Sequence, residues 1–207
     1  MFDAFLEKWL STESSETGKS GKARCPLSLW IYGRAEPLAR FSSELLQFLA
    51  QKGRHVAVAS TKRLASEVAA SHGVDIDSEA RTAAVARLAD LQSAPFLLLR
   101  FDVANLVGEA LLWTDSIVDT RYRSLRPTLA MSTIDPVAAY DHQSSGQDEF
   151  SMPRIVGRIL EDGDAIEVTE DGAYCSEFVF TATAASDYRI RILKNRVGRV
   201  AVMRPRE

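Results

Sequence analysis

Paired cysteines are missing from this chain. Its 207 residues include two cysteines, Cys25 and Cys175, with no C-x-x-C spacing, so neither a disulfide framework nor a thiolate zinc site is implied. His55, His72 and His142 are the three histidines, and none stands i, i+4 to a carboxylate, which removes the usual helical metal pattern. No run approaches about 18 apolar residues, and the first residues carry acidic side chains where a signal peptide would carry basic ones. A cytoplasmic protein without membrane contact is expected. Nor does one sign of charge dominate. The formal net charge is −3, so any contact with nucleic acid must come from a local patch. No G-x-S-x-G or equivalent nucleophile setting occurs, and Ser28, Ser42, Ser43, Asp102 and His55 are scattered.

What is present is enough apolar material for a sizeable core: 46% of the residues are hydrophobic, which fits one domain with terminal extensions. In residues 1–10, Phe2, Phe5, Leu6, Trp9 and Leu10 recur at helical spacing. Residues 11–24 are rich in Ser, Gly, Glu and Lys and read as a mobile linker, which makes Phe2, Phe5, Leu6 and Trp9 candidates for a partner-binding helix on a tether. The same helix packed back on its own domain is the alternative. Residues 25–175 then alternate short apolar runs with 3.6-period stretches. Strands are expected at Leu27–Tyr32, His55–Ser60, Phe96–Leu99, Arg126–Ser132 and Ala165–Val168, with helices at Leu38–Lys52, Thr61–Ser71, Ser78–Leu91, Gly108–Arg123 and Met152–Leu160. Thr61 is read as a cap, and Asp141–Gln147 as a loop. Such alternation predicts an α/β fold: a parallel sheet covered by helices on both faces. Residues 176–207 read as a basic antiparallel hairpin, with strands around Arg189 and Arg199 and a turn near Lys194-Asn195-Arg196.

The order of these signals resembles the P-loop AAA+ core of DnaC-type helicase loaders and the related IstB transposition ATPases, over roughly Leu27 to Tyr174. Four segments carry the resemblance: LWIYGRA, FLLLRFDVAN, RYRSLRPTLAMSTIDP and RIVGRILEDGDAIEVTEDGAY. The third is the most specific, with Arg121-Tyr122-Arg123, Arg126-Pro127-Thr128 and Asp135-Pro136 at the family's spacing. The resemblance places the phosphate loop after Gly33, the metal-binding acid at the end of the Phe96 strand, the sensor near Thr133, and a candidate arginine finger toward a neighbouring subunit at Arg158.

The chemistry those positions need is mostly absent. A phosphate loop requires G-x-x-x-x-G-K-[ST], because glycines let backbone N–H groups reach the phosphates while lysine neutralises them. Here Gly33 is followed by Arg34, Ala35, Glu36, Pro37, Leu38, Ala39 and Arg40. Ala39 stands for the lysine, Glu36 adds negative charge, and Pro37 removes a donor. Arg100 and Phe101 occupy the place of the acids that would hold Mg²⁺, and Asp102 comes one position late. For Arg100, either plain exposure or pairing with Asp102 or Asp115 is expected.

The expectation is a non-catalytic AAA+-like adaptor without a cofactor. The resemblance points to a protein partner such as a DnaB-type helicase or an active AAA+ subunit, and allows an oligomer. The alternatives are an ATPase with an altered loop, or a nucleic-acid-binding module in which Arg189, Arg191, Lys194, Arg196 and Arg199 make weak contacts to phosphates.

Overall fold

The computed structural model describes residues 7, 9–10, 28–72, 77–103, 106, 108–141, 151–161, 164–170, 172–176, 179–183, 187–191 and 200–201. Strand β1 (Leu29–Gly33) leads into helix α1 (Ala35–Gln51), then β2 (Val56–Ser60), α2 (Thr61–His72), α3 (Ser78–Ser93) and β3 (Phe96–Phe101). The chain continues through α4 (Gly108–Arg123), β4 (Thr128–Ser132), α5 (Pro136–Tyr140), α6 (Ser151–Leu160) and β5 (Asp164–Thr169). Last come β6 (Gly172–Ser176), β7 (Val179–Thr183), β8 (Asp187–Arg191) and β9 (Val200–Ala201).

The main sheet has the order β2-β3-β4-β1-β5-β6-β9. Its first five strands pair in parallel, and β6 and β9 pair antiparallel. Alternation along each strand divides the core into two layers. Leu29, Ile31, Phe96, Leu98, Leu129, Met131, Ile166 and Val168 pack under α1, whereas Trp30, Ala57, Ala59, Leu97, Leu99 and Ala130 pack under α2 to α6. The crossover from β1 to β2 thus lies on one face, and the later crossovers lie on the other. Since β1 feeds a strand on its left and the rest step rightward, this keeps every parallel connection right-handed.

One face of the sheet is covered by α1. Among the described residues, a turn of helix at Trp9 and Leu10 supplements α1 there. Trp9, expected either at a partner surface or packed back on its own domain, is 5% exposed, with its ring centroid 5.7 Å from that of Phe96. Glu7 pairs with Lys52, which lies over the Phe48 ring. Burying Trp9 and Leu10 contributes about 2–3 kcal/mol apiece, which the ordering of residues 7–10 offsets at about 1–2 kcal/mol per residue. Phe2, Phe5 and Leu6 lie outside the described residues.

Several sequence expectations need correction. Ser60, not Thr61, caps α2: its Oγ accepts the Arg63 N–H at 3.2 Å, while Thr61 Oγ1 accepts the Asp102 N–H at 3.0 Å. The basic hairpin is also differently built. Strand β8 pairs with β7, placing Arg189 opposite Thr181 and Arg191 opposite Val179, and β9 instead joins β6 at the edge of the main sheet. The partner of the Arg189 strand therefore precedes it in the chain. Lys194, Arg196 and Arg199 lie outside the described residues, as does the loop expected at Asp141–Gln147 except for Asp141, which ends α5. Helix α5 was not foreseen. Asp135 Oδ1 accepts the N–H groups of Val137 and Ala138, both at 2.9 Å, with Pro136 in the first turn, an N-cap followed by proline.

At the amino ends of β3 and β4 sits a fully buried guanidinium, that of Arg121. It donates to the carbonyls of Leu91 at 3.0 Å, Ala94 at 2.8 Å and Pro127 at 2.6 Å, and to Thr128 Oγ1 at 3.2 Å. Leu91 belongs to the last turn of α3, whose carbonyls lack helical partners and carry the negative end of the helix dipole. They stand in for a carboxylate. Burial first, then the charge of Arg126, pushes the Arg121 pKa down to about 10, with Asp90 acting the other way, so the group stays charged at neutral pH. Arg121→Met keeps the volume and removes the donors. Each carbonyl left dry costs about 1–3 kcal/mol, so the variant is expected to lose at least about 3 kcal/mol in urea unfolding, and Arg121→Lys, without the planar fork, a smaller amount. A loss under about 1 kcal/mol would mean that water replaces the guanidinium.

Candidate functional site

In open α/β sheets ligands bind beyond the carboxyl ends of the strands, where neighbouring crossovers leave on opposite faces. Here that point lies at β1, between β4 and β5. The residues around it are Gly33 to Arg40, Arg100 to Asp102, and Ser132 to Asp135.

The link from β1 to α1 is short. Strand β1 ends at Gly33 and α1 begins at Ala35, leaving Arg34 as the cap residue without a side-chain hydrogen bond to the helix. The Leu38 N–H donates to the Arg34 carbonyl at 3.1 Å, so the first turn is closed from its start. Ala35, Glu36 and Pro37, which stand in the phosphate-loop span, are helical residues. Pro37 and Leu38 are buried, and Glu36, Ala39 and Arg40 are exposed on α1. Proline is tolerated in a first turn because its missing N–H would have no helical acceptor, and Glu36 favours the positive end of the helix dipole. Arg34 meets Glu170 at 3.8 Å with both side chains exposed.

Gly33 pairs with Val168 of β5. Its φ is +155°, and a Cβ there would lie 2.1 Å from the Val168 carbonyl oxygen. The obstacle is backbone, so no rotamer change relieves it.

The remaining expected site residues do not converge on one ligand. Arg100 is exposed and on the α1 side of β3, where its guanidinium donates to Ser42 Oγ at 3.4 Å. Pairing with Asp115 is excluded, since buried Asp115 is held by Arg154, whose Nε donates to Oδ1 at 2.8 Å and whose second nitrogen pairs with Oδ2. Asp102 falls just beyond the end of β3 and is exposed, as is Thr133 beyond β4. Ser132 is the buried polar residue at that end, and its Oγ accepts the Ile134 N–H at 3.1 Å. The Trp30 indole donates to the Ile134 carbonyl at 3.2 Å, which ties β1 to the segment after β4.

Arg158 lies on α6, away from these groups. Its Nε donates to Asp119 Oδ1 at 3.2 Å, a terminal nitrogen donates to Glu161 at 3.3 Å, and the guanidinium stacks 4.5 Å from the Tyr122 ring centroid. Burial opposes its charge, but Asp119, Glu161 and Tyr122 raise its pKa above the ordinary arginine value. With Asp115–Arg154 one turn earlier, these contacts form a ladder between α4 and α6 that runs in the same sense along both helices. Any reach of Arg158 toward another chain requires leaving three partners. Sequence reasoning missed this ladder, although the i, i+4 spacings Asp115/Asp119 and Arg154/Arg158 were there to read.

Gly33→Ala is expected to destabilise the fold by more than about 2 kcal/mol, because the added methyl overlaps fixed backbone. Thermal melting measures this, and an unchanged midpoint would mean that β1 and β5 separate at no cost.

No protein-family model matches the chain, and no curated protein matches it by sequence. Solved structures do. A crystal structure of DnaI aligns at TM-score 0.55 and 17% identity over 82% of each chain. A putative primosome component from Streptococcus pyogenes serotype M3 aligns at 0.53 and 15%, over 81% of this chain and 77% of that one. The replication initiator DnaA, bound to AMPPCP and single-stranded DNA, aligns at 0.53 and 18%, over 82% of this chain but 47% of the other. Likeness at such identity speaks for architecture: five parallel strands between helices, with the P-loop AAA+ fold of DnaI and DnaA.

Proposed function

We propose that this chain is a non-catalytic AAA+-fold adaptor of DNA replication or transposition that acts by binding a protein partner, a replicative helicase or an active AAA+ subunit. The observation that carries this reading is the passage from β1 to α1. A nucleotide-binding loop needs several consecutive non-helical residues whose N–H groups wrap the phosphates, and here Ala35 already belongs to the helix. With Ala39 at the lysine position and Pro37 and Leu38 packed inward, neither backbone nor side chain offers the phosphates a cradle. Arg100, at the place of a metal-binding acid, adds positive charge where a cation would sit and is bonded instead to Ser42. Each feature alone weakens nucleotide binding. Together they remove loop, charge and metal at once.

The replication setting rests on likeness to DnaI and DnaA, and fold alone does not fix function. What the fold supplies to an adaptor is a rigid surface whose stability does not depend on bound nucleotide.

Titration with a fluorescent ATP analogue in the presence of Mg²⁺ tests the reading. No saturable binding is expected up to low-millimolar nucleotide, and Ala39→Lys alone should not create hydrolysis, because the acid at position 100 is missing too. Saturable, Mg²⁺-dependent binding tighter than about 100 μM, roughly 5.5 kcal/mol, would overturn it in favour of an ATPase with an altered loop.

A further inference from the structure

At the end of the main sheet opposite β9, β2 has a neighbouring strand on one side only. Its register with β3 runs from Val56 opposite Phe96 to Ser60 opposite Arg100. Within a strand the N–H and C=O of one residue point to the same side, and those of the next residue point to the other. The Val58 carbonyl accepts from the Arg87 guanidinium of α3. The outward groups are therefore those of Val58 and, two residues earlier, of Val56. Among the described residues, Arg87 is the partner that these groups have. An open edge of this kind is a template for a further strand.

Arg87 is poorly seated for a permanent cover. One terminal nitrogen donates to Val58 and the other to Asp90 Oδ2 at 2.9 Å. Its Nε is buried without a hydrogen-bond partner, 3.9 Å from Glu67 Oε1. That oxygen accepts from Arg63 Nε at 2.9 Å, and Glu67 Oε2 is buried with no hydrogen-bond partner. A buried donor and a buried acceptor thus stand unsatisfied within one ion pair, each at a cost in free energy. Rotation of the guanidinium onto the Glu67 carboxylate joins them in the side-by-side geometry that arginine and carboxylates favour, and it releases the Val58 carbonyl. The cation has two seats, of which one closes the edge and the other opens it.

Charge decides what fits there. Strand β2 begins just after Arg54 and ends just before Lys62 and Arg63, all exposed. The nearby acids, Glu67 and Asp90, are engaged by Arg63, Arg87 and His55. A second copy of β2 laid across a two-fold axis would set the basic start of one strand against the basic end of the other, and like charges opposite one another are destabilising. An extended segment with acidic side chains meets cations at both ends instead. Its apolar residues would cover Val56 and Val58, which are half-buried on the α1 face.

We propose that the free edge of β2 is a docking site for an acidic, extended segment of a partner protein, which joins the sheet as a further strand while Arg87 moves from Val58 to Glu67. Strand addition at this edge is independent of whether nucleotide binds beyond β1.

The test uses the full-length chain and a fluorescein-labelled peptide of alternating valine and glutamate, about eight residues long, within the length of an ordinary strand. Fluorescence anisotropy is expected to show saturable binding tighter than about 1 mM. The same peptide with lysine for glutamate, or with every second backbone nitrogen methylated, should bind at least about tenfold more weakly, through repulsion or lost donors. In isotope-labelled chain, exchange of the Val56 and Val58 amide protons should slow at least about tenfold at saturating peptide. Glu67→Gln removes the charge of the second seat and should weaken peptide binding at least about fivefold. Absence of binding up to about 1 mM would make Arg87 a permanent cover of the edge and overturn the proposal. Equal binding of the lysine peptide, or binding that leaves Val56 and Val58 exchange unchanged, would put the peptide elsewhere, with the same consequence. A Glu67→Gln chain that binds as tightly as the parent would show that Arg87 does not change seats, and would overturn the opening mechanism.

Discussion

The Arg121 guanidinium is the contact that sets the amino ends of β3 and β4 side by side. It gathers the last turn of α3 and the approach to β3 with the end of α4 and the start of β4, two junctions that are separate in sequence. A buried cation without a carboxylate is costly by itself. It persists here because a helix end and two turns all need donors, and one planar side chain with five N–H groups supplies them together. The same carbonyls could not be satisfied by water without opening the junction. Arg126 adds to the knot through the Gln92 carbonyl, and Leu125, the described non-glycine residue in a left-handed conformation, makes the turn that brings Arg126 back. The geometry of this corner fixes where β3 and β4 begin, and so where their far ends fall.

Those far ends form the rim where a nucleotide would bind in an active relative of the fold. The constraints there are of another kind. Gly33 is required by the closeness of the Val168 backbone, a packing demand between β1 and β5 that would hold with or without phosphate. Pro37 and Leu38 are drawn into the α1 layer, and Trp30 reaches from β1 to the Ile134 carbonyl.

Much of the architecture was legible because a parallel sheet buried on both faces imposes simple patterns: apolar runs for β1, β3 and β5, and 3.6-period stretches for α1, α4 and α6. The start of α1 was less so, because the glycine at 33 and the proline at 37 suggest a loop, and only the depth of Pro37 and Leu38 reveals the helix. Helix α5 was missed at five residues, although Asp135-Pro136 is a readable start signal. Ion pairs are harder to foresee, since Asp115, Asp119, Arg154 and Arg158 could each have met water. Their pairing depends on α4 and α6 lying side by side, a tertiary fact. The burial of Trp9 is of the same kind: periodicity showed an amphipathic turn, and only the packing on the α1 face shows where it goes.

In the third segment of the likeness to the helicase loaders, Arg121, Arg126, Pro127 and Thr128 build the buried knot, whereas Asp135-Pro136 start α5 beyond the far end of β4. Residues at the amino ends of β3 and β4 are tied to many carbonyls at once, so altering one of them strands several acceptors. Those at the carboxyl rim touch few partners, and Glu36, Ala39, Arg40 and Thr133 can take many identities without disturbing the core. Stability and chemistry occupy opposite ends of the same strands. Likeness of this kind therefore speaks to fold, and function must be sought on the surfaces that the fold displays.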